Sequence, residues 1–231
     1  MAHAGPVRRY ATAALLALAL AAPARAEPPE PAPPPDPARA RRLEREALAL
    51  YGLAFLQQRQ DRLLSAARTL EEAVRLDPEA VPPRLALVPL YGALGRPDDA
   101  ARAAAAVLVL DPSQAETWRA LAKLLHEMRR TPEAVAVLSR CVAAPQLADR
   151  PADLIAAHRD LGRLFTALGA ADRAAGSYRQ ALRLLAAHRA ALQARGADEG
   201  DLNRERAELS AGLGSACLAA GQFTEARGAL E

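Results

Sequence analysis

The chain has 231 residues, 51% of them hydrophobic but only 3% aromatic, and 59 are Ala, so its core must be built from small side chains rather than stacked rings. Lys plus Arg number 30 against 27 acids, but residues 1–26 hold Arg8, Arg9 and Arg25 and no acid, leaving 27 of each sign in the other 205 residues. That balance argues against a nucleic-acid binder, whose working form keeps a basic footprint, and two cysteines, Cys141 and Cys217, cannot make a disulfide framework.

Arg8 and Arg9 precede an uncharged apolar run, Ala11 to Ala22, followed by Pro23 and the triplet Ala24-Arg25-Ala26. This order predicts a secretory signal peptide over residues 1–26, cut after Ala26. The run falls well short of the roughly 20 apolar residues that cross a bilayer, so no stable membrane insertion is expected after cleavage, and the localisation predicted is periplasmic or secreted. General and twin-arginine export both remain open. Residues 27–37, EPPEPAPPPDP, hold seven prolines in eleven positions and predict an extended, stiff linker.

From residue 38 to 231 the chain reads as helix after helix, broken at intervals by Gly, Pro and Asp, without a β-branched alternation. Leu76-Asp77-Pro78 recurs 34 residues later as Leu110-Asp111-Pro112. Leu94-Gly95-Arg96-Pro97-Asp98-Asp99-Ala100 is echoed at Met128–Ala134, again 34 later, and then at Leu168–Ala174 and Ala220–Ala226. Trp118-x2-Leu121-Ala122-x2-Leu125 leads to Ala134-x3-Leu138, and Leu161-Gly162-x2-Phe165 leads to Ala174-x3-Tyr178.

This 34-residue helix-turn-helix pattern resembles the tetratricopeptide repeat. The resemblance implies an all-α fold, a right-handed α-solenoid of stacked repeats, with about five units starting near 47, 81, 115, 155 and 207, the last incomplete. Small residues (Ala54, Ala122, Gly162 and Gly214 on first helices; Ala66, Ala100, Ala134, Ala174 and Ala226 on second helices) are expected where helices approach closely. One hairpin leaves an apolar face wet, so stability is expected from stacked neighbours.

The departures from 34 are also informative. Six extra residues surround Pro145 and Pro151, and 18 more precede the fifth unit, where two helices around a Gly196–Gly200 turn are expected to run past the stack. Pro89 should kink or shorten the first helix of the second unit. At the C-terminal end, Leu213, Leu218, Phe223 and Leu230 have no following repeat, so either the sequence is a fragment or this uncapped repeat associates with itself or another protein.

No residue set has the spacing of a catalytic or metal centre. His126, His158 and His188 lack zinc-ligand patterns, Cys141 and Cys217 sit at packing positions, and the Asp-Pro pairs close helices; neither a cofactor nor a metal is expected. Repeats of this kind line a concave groove with outward residues of each first helix. By position these are Tyr51, Phe55, Leu85 and Pro89, then Arg119, Lys123, His126, Arg159 and Arg163. An apolar end and a cationic end would suit an extended peptide carrying hydrophobic side chains and a carboxylate, unless Glu116, Glu127 and Asp160 neutralise the same cations. The expectation is a non-catalytic protein- or peptide-binding scaffold of the bacterial envelope. Two alternatives stand: the recognition part of a longer envelope enzyme or assembly factor, and a polyanion or lipid-surface binder through Arg189, Arg195, Arg204 and Arg206.

Overall fold

The computed structural model describes residues 36–230, the side chain of Leu230 excepted. The signal peptide expected over residues 1–26, residues 27–35 of the Pro-rich stretch, the Leu230 side chain and Glu231 therefore lie outside the described residues. Ten α-helices follow one another: α1 (Pro37–Arg59), α2 (Leu63–Leu76), α3 (Val81–Ala93), α4 (Pro97–Leu110), α5 (Ala115–Glu127), α6 (Thr131–Val142), α7 (Pro151–Ala167), α8 (Ala171–Ala194), α9 (Glu199–Ala219) and α10 (Phe223–Leu230). A short 3-10 turn, Pro145–Leu147, separates α6 from α7, and the described residues contain no strand.

The repetition is written in the backbone of the turns. Helices α1, α3, α5, α7 and α9 each end with a residue in the left-handed region: Asp61 (φ 58°), Gly95 (67°), Arg129 (62°), Gly169 (70°) and Gly221 (75°). The next residue's N–H reaches back to a carbonyl of the last turn, Arg62 to Gln57, Arg96 to Tyr91, Arg130 to Leu125, Ala170 to Phe165 and Gln222 to Cys217, at 2.8–2.9 Å. This closure satisfies the orphan carbonyls of a helix end and reverses the chain within a few residues. The five turn residues are spaced 34, 34, 40 and 52 apart, by subtraction of their positions.

Packing follows from the alanines. Ala54, Ala66, Ala73, Ala100, Ala104, Ala134, Ala157, Ala174 and Ala181 are completely buried, so the backbones of neighbouring helices can approach closely there. Larger groups fill what remains. Trp118 is buried with its indole N–H donating to the Pro112 carbonyl (2.9 Å), and the Tyr91 hydroxyl donates to Glu71 (2.9 Å) while the Arg96 guanidinium stacks 4.5 Å above the Tyr91 ring. Tyr178 on α8 fits a slot between two glycines. A Cβ added to Gly162 of α7 would lie 2.6 Å from its ring, and one added to Gly212 of α9 would lie 2.7 Å from it.

Three details depart from or sharpen the sequence reading. Helix α3 runs through Pro89 and keeps 13 residues, the same length as α5, so the proline does not shorten it. Pro89 lacks the N–H that would bond the Leu85 carbonyl, a loss confined to one rung of the helix. Leu213, expected to stay uncovered, is buried in the cluster that also holds Leu185 and Leu209, whereas Leu218 and Phe223 are exposed. Helices α8 (24 residues) and α9 (21 residues) run past the 12 to 14 residues of α2 to α6, with Asp198 capping α9 by accepting the Gly200 N–H at 2.8 Å.

Candidate protein-binding groove

A cleft of about 660 Å³ opens beside α5 and α7. Glu116, Arg119, Lys123 and His126 reach it from α5, and Asp160 and Arg163 from α7, with Leu138 and Leu164 also lining it. The α5 residues lie three or four apart, so one face of the helix supplies them all. Two repeats earlier on that register stand Tyr51 and Phe55, and one repeat earlier Leu85 and Pro89. Tyr51 and Leu85 are half-buried, while Phe55 and Pro89 are exposed.

The groove cations are tied to carboxylates of their own chain. The Arg119 guanidinium donates to Asp160 at 2.6 Å, joining α5 to α7. Arg159 grips both oxygens of Glu205 at 2.6 and 2.8 Å, joining α7 to α9, and also lies 3.8 Å from Asp160. Arg163 sits 3.7 Å from Glu208 and 3.8 Å from Asp160, and Lys123 lies 3.8 Å from Glu127. His126 Nδ1 is 3.0 Å from the Thr131 hydroxyl. Asp160 is recognisable in the sequence as a neutralising acid. Glu205 is not, because it stands on the prolonged start of α9, outside the repeat pattern that locates the other groove residues.

Chemistry elsewhere is muted. Burial pushes the Cys141 thiol up to about 11 and raises the Cys217 thiol as well, which keeps both protonated and weakly nucleophilic near neutral pH. Burial also lowers the His158 pKa; its Nδ1 is enclosed without a hydrogen-bond partner. Among the described residues no group of three or more His, Cys, Asp or Glu could hold a metal ion, and no helix is long and apolar enough to cross a membrane. Of the arginines expected near the long hairpin, Arg189 bonds Glu199 and Asn203, and Arg204 bonds Asp201.

No protein-family model matches the sequence, and comparison with curated protein sequences gives no match. Solved structures do match over most of the chain. A crystal structure of YrrB, described as a tetratricopeptide-repeat protein with an unusual peptide-binding site, is similar with a TM-score of 0.55 at 15% identity, covering 83% of this chain and 88% of that one. MamA of Desulfovibrio magneticus gives 0.55 at 18% identity, covering 80% of this chain and 90% of that one. PilF of Pseudomonas aeruginosa gives 0.52 at 17% identity, covering 81% and 74%. The chain thus has the all-α fold of a tetratricopeptide-repeat solenoid.

Proposed function

We propose that this protein is a non-catalytic scaffold of the bacterial envelope that holds a segment of a partner protein in the groove formed by α1, α3, α5 and α7. The observation that carries the reading is the open cleft beside α5 and α7, lined by the outward face of a first helix, in a fold whose neighbours include a peptide-binding protein. Fold alone never specifies function; the residues of a site do. In this reading residues 1–26 are a cleaved export signal, 27–37 a tether and 38–231 the repeat body, with units starting near 47, 81, 115, 155 and 207. Tyr51, Phe55, Leu85, Arg119, Lys123, His126, Arg159 and Arg163 face the partner or hold the walls that do.

A photo-crosslinking residue placed at Ala120, in the cleft, should capture a discrete partner from living cells, and the same residue at exposed Arg102 on α4 should not. Equal capture from both positions, or from neither, would refute the groove. Amino-terminal sequencing of the chain purified from an envelope fraction should begin at Glu27, and an intact Met1 in the cytosol would reject the export reading.

A further inference from the structure

Aligning the five first helices by the spacing of their turns, 34, 34, 40 and 52 residues, brings one stripe of three positions into register. Its middle position is Leu87 on α3, Leu121 on α5, Leu161 on α7 and Leu213 on α9, all of them buried. The positions four before and three after are buried on the same helices too, Leu124 alone being half-buried. On α1 the stripe is Ala49, Leu53 and Leu56, and there all three are exposed, Leu53 to 46% and Leu56 to 54%.

Inside the stack this stripe packs on the second helix of the unit before. Leu87 and Leu90 share a cluster with Ala66, Ala67 and Leu70 of α2, and Leu121 shares one with Ala101, Ala104 and Leu108 of α4. Among the described residues no second helix precedes α1. Its stripe therefore has the composition and spacing of an internal interface, without the helix that covers it in the later units. Beside the stripe runs a line made of Arg41, Arg45, Leu48, Gly52 and Arg59, spaced four, three, four and seven apart and so on one face of the helix; all five are exposed. Arg45 donates to the Arg41 carbonyl (3.2 Å), and among the described residues none of the three arginines pairs with an acid. Glu44 and Glu46, the acids of α1, stand off this line.

We propose that α1 carries a second docking surface, separate from the groove, which receives one helix of a partner protein as α3 receives α2. That helix presents small and aliphatic side chains to Ala49, Leu53 and Leu56, and Asp or Glu to Arg41, Arg45 and Arg59. The covered stripes of the later first helices define the shape of the occupant, and the three uncompensated cations define its charge. Tyr51 and Phe55, the groove positions of α1, belong to neither line. A second copy of this chain is the poorer occupant. Its last second helix, α10, puts an exposed Arg227 where α2, α4, α6 and α8 carry Ala67, Ala101, Val135 and Ala175.

The test is selection against the full chain of phage-displayed single helices of about 20 residues, randomised on one face. Recovered helices should be acidic, with Ala, Ser or Gly set within an aliphatic stripe. Leu53→Ser and Leu56→Ser alter exposed side chains and should each weaken a synthetic copy of the strongest about tenfold or more. Arg45→Glu with Arg59→Glu should weaken it about tenfold at about 50 mM salt and much less at about 500 mM. Lys123→Ser, in the cleft, should leave it unchanged, with circular dichroism verifying every fold. Leu56→Cys should react with a maleimide at the rate of an exposed thiol in the free chain and slowly once the helix is bound, Cys141 and Cys217 being buried. Slow labelling before any helix is added would overturn the partner: in a monomer by sedimentation it places another part of this chain on the stripe, and in a dimer a second copy. Binders indifferent to Leu53 and Leu56, or no binders, would overturn the surface itself, and neutral or basic binders would overturn its charge.

Discussion

Replacing Gly162 with Ala probes how tightly α7, α8 and α9 are locked together. The new methyl would lie 2.6 Å from the Tyr178 ring, about 0.9 Å inside an ordinary carbon contact of about 3.5 Å. The ring cannot simply retreat towards α9, because Gly212 closes the other side of the slot at a comparable distance. Overpacking of this kind costs roughly 1–3 kcal/mol, and the helix preference of Ala over Gly returns about 1, so the net loss should be about 0–2 kcal/mol. For a folded body of this size that lowers the thermal midpoint by up to about 8 °C. Gly176 on α8 supplies the contrast. A Cβ there meets nothing within 4 Å, so Gly176→Ala should raise the midpoint by about 2–3 °C through helix preference alone. Gly162→Ala combined with Tyr178→Leu should lose less than the two separate losses added, because the smaller side chain vacates the slot. Thermal melts followed by far-ultraviolet circular dichroism read all four variants. A Gly162→Ala protein as stable as Gly176→Ala would refute the clamp.

Arg129 holds a left-handed backbone at the turn position occupied by glycine in three other repeats, so Arg129→Gly should stabilise the chain by about 0.5–1 kcal/mol in urea melts, and destabilisation would show that its side chain matters more than its strain. The Tyr91 hydroxyl is pushed up to about 12, first by burial and then by its hydrogen bond to Glu71. An unfolded tyrosine ionises near 10, so this stabilisation is whole below pH 10 and fades as the pH rises towards 12; Tyr91→Phe should lose stability more gently over that interval, and parallel alkaline melting curves would reject the assignment. His158 titrates in the opposite sense. Its pKa is depressed by burial, so the folded state is favoured by the neutral ring above about pH 6.5 and loses that support as the pH falls below it; His158→Phe should flatten the stability profile between about pH 5 and 7, and an unchanged slope would exclude His158 as its source.

The solenoid was legible in the sequence because a hairpin that packs only on its neighbours must repeat the same small residues at the same places. Ala54, Ala66, Ala100, Ala134 and Ala174, read from that repetition, are all completely buried. What escaped the reading lies off the period. Gly212 accommodates the Tyr178 ring two residues before the expected small residue Gly214, since the contact is set by the ring on α8 and not by the motif of α9. Two turns conceal their left-handed backbone because Asp61 and Arg129 stand where the others carry glycine. Leu213 looked unprotected because cover was sought only in a following repeat, whereas Leu185 of the preceding helix α8 shares its cluster.

The 18 additional residues before the last hairpin bear directly on what the groove can recognise. They prolong α9 at its start and so place Glu205 within reach of Arg159, a two-point contact with an arginine side chain only 18% exposed. Asp160 performs the same service for Arg119 between α5 and α7. Such pairs add little where water screens them but constrain orientation strongly when a planar guanidinium meets a carboxylate. Together they join three successive first helices along one face: α5 to α7 through Asp160, and α7 to α9 through Glu205. Two of the four groove cations, Arg119 and Arg159, are therefore engaged in spacing those helices, whereas Lys123 and Arg163 stay largely exposed and keep only looser contacts of 3.7–3.8 Å with their acids.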